Sequence, residues 1–338
     1  MRILQANKRP GRFMAKNAGT LWLDALEAEE SGDRESALDL SQDVVHIDPS
    51  HSEAWMMIAR MELPAATRGK QEMPGLSQTA KSVSALRKVV ELDPDNRRAW
   101  ELGGTLMVDH LGMLQDALEW WERRRDVEPT ETTPMIEQIA ILTRMGHYED
   151  CADLLEELFA PEMDAVDGGT RMRMERVNQT VARASKMEAE EVFKPQQPKH
   201  PRWSKIEMLK DKKPISETLW LFMFVAPLAF LIGVVGMATF GNTGWGFAIV
   251  FLILLSSIII ISRLTIGMLQ RVNRHALDLE RAIDYETSTG KVCIPPVIRS
   301  SKLYASLMQN KMPAIRERLE LIVESDEKMP SKWKLQMP

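Results

Sequence analysis

The sequence predicts an all-α protein: a solenoid of helical hairpins, then a transmembrane α-hairpin, then a short helical tail. Three observations carry the prediction. A glycine, a small residue and a helix-ending position recur at fixed steps along the first half of the chain. Proline repeatedly stands six residues ahead of a bulky side chain. Two long apolar runs in the second half carry no charge.

The stretch ELDPDNRRAWELGG, Glu91 to Gly104, shows the repeating unit. Pro94 ends one helix, because its ring restricts the preceding residue and offers no backbone N–H. Trp100 and Gly104 then open another. Gly32, Ala37 and Pro49 are separated by steps of five and twelve, as are Gly112, Ala117 and Pro129, and Gly146, Cys151 and Met163. Pro49 precedes Trp55 by six residues, Pro94 precedes Trp100 by six, and Pro129 precedes Met135 by six. Ala59 and Gly104 follow the two tryptophans by about one turn. The glycine between helices permits positive φ at a helix end, and the small residue lets the paired helices approach.

From Pro94 to Pro129 is 35 residues, close to the ~34-residue period of the tetratricopeptide repeat. On the segments WELGG, LGMLQDAL and VELDP, region 18–163 resembles that family and would hold about four units. The resemblance implies an array in which stacked neighbours bury the apolar faces that a single hairpin leaves open. The second unit carries the insertion LPAATRGKQEMPGLSQ, read as a projecting loop before its second helix. The fourth meets Pro161 early and reads as terminal, and Thr170 to Phe193 as a closing solvated helix. The array thus occupies 18–193. Ahead of it, region 1–17 has five basic and no acidic residues up to Lys16 and lacks the apolar core of a secretory signal, so it reads as a solvated basic tail.

Charge is sorted along the chain. Asn17 to Phe193 holds 36 acidic against 18 basic residues, a balance of −18. Such a body is a poor match for nucleic acid, whose phosphates demand Lys and Arg. The connector KPQQPKHPRWSKIEMLKDKK, Lys194 to Lys213, has seven basic and two acidic residues and internal prolines, and reads as a semi-rigid extended spacer over 194–214.

The hairpin, 215–262, contains Leu219 to Phe240 and Trp245 to Ser262, runs of 22 and 18 uncharged residues. At 1.5 Å per residue they reach ~33 and ~27 Å, enough for a ~30 Å hydrocarbon core. Gly241 to Gly244 joins them, so both outer ends lie on one side. Lys205, Lys210, Lys212 and Lys213 precede the first run, and Arg263, Arg271 and Arg274 follow the second. The positive-inside rule then places these membrane-surface residues, the array and both termini in the cytoplasm, with Trp220 and Trp245 as interfacial anchors. Ala229, Gly233 and Gly236 offer a small face, either for packing within the hairpin or for an oligomer seam. No ionisable group lies within either run, which disfavours a transporter. In the tail, 263–338, Arg263 to Tyr285 reads as a helix with an apolar stripe of Leu269, Val272, Ala276, Leu279 and Ile283, and Pro313 to Glu324 as another.

No phosphate loop, catalytic motif or metal-ligand cluster is present in the sequence, the two cysteines lie far apart, and the six histidines are scattered and read as surface residues. Neither an enzyme nor a cofactor or metal is expected. Binding is: the first helix of each repeat lines the groove in the family. Trp22, Leu26, Glu29 and Glu30, then Glu53, Met56 and Arg60, then Arg98, Glu101, Thr105 and Asp109 are its candidates here. The places where some members hold Lys and Asn to clamp a C-terminal carboxylate carry Trp22 and Leu26. An acidic array favours a basic or amphipathic peptide. The sequence therefore points to a membrane-anchored scaffold or adaptor, or alternatively to an accessory or assembly subunit of a transport or envelope complex. The bilayer, a protein partner and a homo-oligomer are the contacts to test.

Overall fold

A computed structural model describes residues 17–65, 72–184, 191–241 and 243–337, apart from the side chains of residues 183 and 262–264. The chain is helical, and its first half is a tetratricopeptide-like stack of helical hairpins. α1 (Ala18–Ser31) pairs with α2 (Arg34–Ile47), and α3 (Ser52–Met61) with α4 (Leu76–Leu92). α5 (Arg97–Thr105), extended by a π-helical turn (Leu106–Leu111), pairs with α6 (Leu114–Val127), and α7 (Thr132–Met145) with α8 (Tyr148–Leu158). α9 (Gly168–Ala184) closes the stack against α7 and α8. Residues 1–16, where most of the basic tail falls, lie outside the described residues; Asn17 caps α1 through its side chain, which accepts from the Thr20 amide.

The repeated residues do what their spacing requires. Gly32, Gly112 and Gly146 end first helices at φ 82°, 65° and 84°. Ala37, Ala117 and Cys151 have no exposed surface, so their second helices pack without a gap. Ser82 takes the same place twelve residues before Pro94, where its buried hydroxyl donates to the Ala59 carbonyl at 2.7 Å. The insertion hides that position from a spacing search. The six-residue step has its own cause: the Trp55 indole N–H donates to the Pro49 carbonyl at 2.9 Å, and that of Trp100 to Pro94 at 2.8 Å. Each tryptophan thereby ties its helix to the preceding turn, a bond worth ~1 kcal/mol.

The close approach at Gly103 and Gly104 is made by the next helix. A Cβ on Gly103 would lie 2.4 Å from the Trp120 ring, and one on Gly104 2.2 Å from Trp121. Trp120 also packs at a 57° tilt against Trp100, with ring centroids 4.6 Å apart, and donates to its carbonyl at 2.9 Å. Such an aromatic pair adds about 0.5–1.5 kcal/mol to the burial itself.

Several expectations need correction. α4 begins at Leu76, inside the expected loop, because Gly75 is held as its N-terminal cap by the Gln78 side chain; residues 66–71 lie outside the described set. The closing helix starts at Gly168, where the Asp167 carboxylate accepts from the Gly169 and Thr170 amides, and is described as far as Ala184; residues 185–190 of the expected helix lie outside the described residues. Met174 and Val181 are buried on it, so it is solvated on one side alone. Phe193 is not part of it but sits in a second core.

That core also overturns the extended spacer. Within 194–214, α10 (Pro201–Met208) buries Trp203 and Ile206 against α14, and the Arg202 guanidinium donates to Asp278 at 2.6 Å. Trp203 and Ile206 fall one turn apart, which a basic, proline-rich composition disguises. The histidines His200 and His275 are buried here rather than exposed.

A four-residue α11 (Glu217–Trp220), a π-helical turn (Leu221–Val225) and α12 (Ala226–Phe240) make one rod, and α13 (Gly246–Val272) makes its antiparallel partner. The π turn lies directly before Pro227, whose ring clashes with the carbonyl one turn back and cannot donate. Glu217–Phe240 and Gly246–Val272 each contain an 18-residue stretch, of mean hydropathy 2.4 and 2.6 respectively, and are long and apolar enough to cross a membrane. Gly236 faces Val250 and Gly233 faces Leu254, so the small face is used within the hairpin. Trp245 is 80% exposed, whereas Trp220 is buried against Phe224 and does not face outward. At the base, the Asn273 amide exchanges two hydrogen bonds with the Ile215 backbone at 3.0 and 2.8 Å, fastening both ends of the hairpin together.

Asn273 also breaks the helix expected from Arg263 to Tyr285. α14 (Arg274–Thr289) follows, then α15 (Pro296–Arg299), α16 (Lys302–Gln309) and α17 (Pro313–Ser325). Leu269, Ala276, Leu279 and Ile283 are buried as the stripe predicts, but Val272 is exposed beside the break. Glu286, with no exposed surface, organises the turn after α14: it accepts from the Cys293 and Ile294 amides at 2.6 and 2.7 Å and from Arg299.

Candidate functional site

The first helices expose a polar face along the middle of the array. On α3, Glu53 and Arg60 are exposed and Met56 is half-buried; on α5, Arg98, Glu101 and Thr105 are exposed. Arg60 pairs with Glu29 of α1 at 2.9 Å, so the faces of the first two units are contiguous. Arg97, which sequence reasoning missed, holds Glu101 at 2.9 Å and reaches Thr133 of α7 at 3.1 Å, joining the third and fourth units. At the amino end the face is more apolar. Trp22 and Leu26 are half-buried in the α1–α2–α3 core, with the Trp22 ring 4.8 Å from His51, while Glu30 is exposed. Trp22 and Leu26 thus serve packing first.

The edge formed by the turns within the repeats is covered by the chain's own C-terminal helices. Glu317 of α17 accepts from the Leu76 amide at 2.9 Å, and Arg318 donates to the Leu111 carbonyl at 3.0 Å. On α14, Ser288 accepts from the Gln115 amide at 3.0 Å, and Tyr285 donates to the Met145 carbonyl at 3.3 Å. Arg144 forms a two-pronged bond with Asp284, 2.6 Å on each arm. The repeat glycines allow this approach: a Cβ on Gly112 would fall 2.6 Å from Thr287, and one on Gly146 2.8 Å from Arg281. Each glycine is therefore required twice, once for its left-handed backbone and once for its missing side chain.

Asp109, the last of the expected groove residues, stands apart from the others. It lines a cleft of about 960 Å³ between the third and fourth units, the end of α13, α14 and the start of α17. Arg144, Arg271, Arg274, Arg281 and Lys311 bring positive charge to this cleft, and Asp109, Glu191, Asp278, Glu280 and Asp284 bring negative charge. Burial, then the neighbouring Asp284, pushes the Glu280 carboxyl up, although Lys311 draws it back. Burial also pushes the His110 imidazole down, and its Nδ1 is buried there without a hydrogen-bond partner among the described residues. The signal for this cleft was present as Arg271 and Arg274, but not the fold that brings Arg144 and Lys311 to them. Of the other membrane-surface residues, Lys205, Lys212 and Lys213 are exposed; Lys210 is half-buried, its carbonyl accepting from the Leu303 amide at 2.8 Å. The Arg263 side chain lies outside the described residues.

Burial, as the main cause, pushes the Cys151 thiol up to about 11 and the half-buried Cys293 thiol well up. Among the described residues no group of His, Cys, Asp and Glu is placed to hold a metal ion.

No protein-family model matches the chain, and no curated protein matches it in sequence. Solved structures that it resembles include a MamA RS-1 ArsTM double mutant, at 14% identity and a TM-score of 0.36 over 51% of this chain and 92% of that one. A MamA protein matches at 14% identity and 0.32, over 52% and 97%, and TTC0263, a thermophilic TPR protein of Thermus thermophilus, at 15% and 0.32, over 48% and 82%. Likeness at this level carries nothing about partners or activity.

Proposed function

We propose that the protein is a scaffold that binds other proteins through the first-helix face of its repeats and is held at a membrane by α12 and α13. The observation that carries this is the division of surfaces. The turn edge is sealed by α14 and α17, whereas Glu53, Arg60, Arg98, Glu101 and Thr105 stay exposed on the first helices. A groove with an acidic surround suits a basic or amphipathic segment. The latch at Asn273 and the docking of α14 make the array a rigid extension of the hairpin, so a bound partner would be presented at a fixed position beside the bilayer. The basic flanks support a cytoplasmic position for that side under the positive-inside rule.

The test is co-purification from native membranes. Replacing Arg98 and Glu101 with residues of opposite charge should remove associated protein while leaving helicity and membrane retention unchanged. Retention of every partner would refute the groove. A second reading, an assembly subunit that works through its hairpin, is favoured by an apolar groove of about 660 Å³ along α12 and α13, lined by Phe230, Gly233 and Phe251. Loss of partners on substituting Phe230, but not Arg98, would support it.

A further inference from the structure

We propose that the cleft between the array, the end of α13 and the C-terminal helices binds the phosphate of an anionic phospholipid. The inference rests on the membrane reading of α12 and α13. Three features converge on it: position, charge and an apolar lip.

Position comes first. Arg271 lies in the last turn of the apolar α13 and Arg274 begins α14, so the mouth of the cleft opens where the headgroups of a spanned bilayer would lie. Inside, Arg144 and Lys311 lean on one carboxylate, Asp284, at 2.6 and 3.7 Å. Arg281 directs its hydrogen bonds to neutral groups, the Tyr148 hydroxyl at 2.8 Å and the Arg144 carbonyl at 3.3 Å. Of these three half-buried cations, two share the buried Asp284 carboxylate, and Arg281 pairs with no carboxylate among the described residues. Asp278, a further acid in the wall, is already taken by Arg202 at 2.6 Å. Glu191, Glu280 and Asp109 remain as opposing charges, and Arg274 meets the Glu191 backbone carbonyl at 3.0 Å rather than its carboxylate. A phosphate would supply the anionic partner that Arg271 and Arg281 lack among the described residues, and would add to the single distant contact that Lys311 makes with Asp284, through charge-assisted bonds.

The lip separates a lipid from a soluble phosphate. Leu277, which lines the cleft, and Met268, beside Gly267 of its wall, are 47% and 56% exposed. They continue the apolar surface of α13 to the cleft mouth, where an acyl chain can lie and a sugar phosphate gains nothing.

The experiment uses the full chain in a neutral detergent with dioctanoyl phosphatidylglycerol, dioctanoyl phosphatidylcholine and glycerol phosphate as probes. Phosphatidylglycerol should raise the melting temperature, and the other two should not. Replacing Arg271 and Lys311 together with Gln should weaken phosphatidylglycerol binding by roughly tenfold or more. Glu280→Gln, which removes an opposing charge without touching a cation, should strengthen it severalfold. Equal response to phosphatidylcholine, or unchanged affinity in both variants, overturns the proposal. Equal response to glycerol phosphate overturns the lipid assignment. Carbonate washing of native membranes keeps the two readings apart. A chain that stays in the pellet yet ignores phosphatidylglycerol defeats this inference alone, and a chain that washes off defeats the membrane reading with it.

Discussion

Gly104→Ala probes the packing rule that the repeat depends on. The added Cβ would meet Trp121 at 2.2 Å from Cζ2, 2.7 Å from Cε2 and 3.0 Å from Nε1. Trp121 is 3% exposed and its neighbour Trp120 fills the equivalent space over Gly103, so the indole has nowhere to retreat without moving α6. Overpacking of this kind costs about 1–3 kcal/mol, while exchanging Gly for Ala within a helix returns up to ~1 kcal/mol. The net is a loss of about 1–2 kcal/mol, or a fall in melting temperature of about 2–6 °C. Thermal unfolding of the full chain in detergent, followed by circular dichroism, measures it. Gly168→Ala is the control: no atom lies within 4 Å of its added Cβ. Shortening Trp121 to Leu should make the Gly104→Ala change harmless, with a coupling of about 1 kcal/mol or more in a double-mutant cycle. If Gly104→Ala melts at or above the parent temperature, the tryptophan–glycine contact is not what joins these helices.

Three other outcomes follow from single contacts. Asp284→Ala leaves Arg144 and Lys311 without their shared carboxylate and should destabilise the docking of α14 by about 2–4 kcal/mol, seen as faster amide exchange over 274–289 with the first two repeats unaffected. Trp100→Phe removes the bond to the Pro94 carbonyl and should cost ~1 kcal/mol beyond the lost ring area, measurable by denaturant unfolding. Glu280 titrates above its ordinary 4.5 in the folded chain because burial disfavours its charge. Below that value both states are protonated and Glu280→Gln changes little. As pH rises through the raised value the folded parent alone carries the penalty, so the variant should gain relative stability. A difference in melting temperature that stays flat from about pH 4 to about pH 8 would contradict this.

The repeat was legible because its rules are local. A positive φ at Gly32, a buried methyl at Ala37 and an indole bonded back to Pro49 each act within a few residues, so they leave fixed spacings in the sequence. The two apolar rods were legible from composition for the same reason. What stayed hidden depends on contacts remote in sequence. Trp203 looks like part of a basic linker until Asp278 and Ile294 surround its helix, and Thr287 gives no sign that it will meet Gly112. Charge alone could not tell a solvated flank from a built cleft, because Arg271 and Lys311 are brought together by the return of the chain across the array. Of the groove residues, Glu53, Arg60, Arg98, Glu101 and Thr105 are exposed on α3 and α5, Met56 is half-buried, Trp22 and Leu26 are drawn into the core, and Asp109, though exposed, lines the cleft instead.

The proposed function assigns two roles to two surfaces: the first-helix face captures protein, and α12 and α13 hold the chain in a membrane. Photocrosslinking in native membranes, from a reactive side chain placed in turn at Arg98, at Phe230 and at Glu119 on the exposed side of α6, reads both roles at once. A discrete protein adduct is expected from position 98, lipid adducts from position 230, and neither from position 119. The same adducts from positions 98 and 119, or soluble protein captured at position 230, would contradict the assignment.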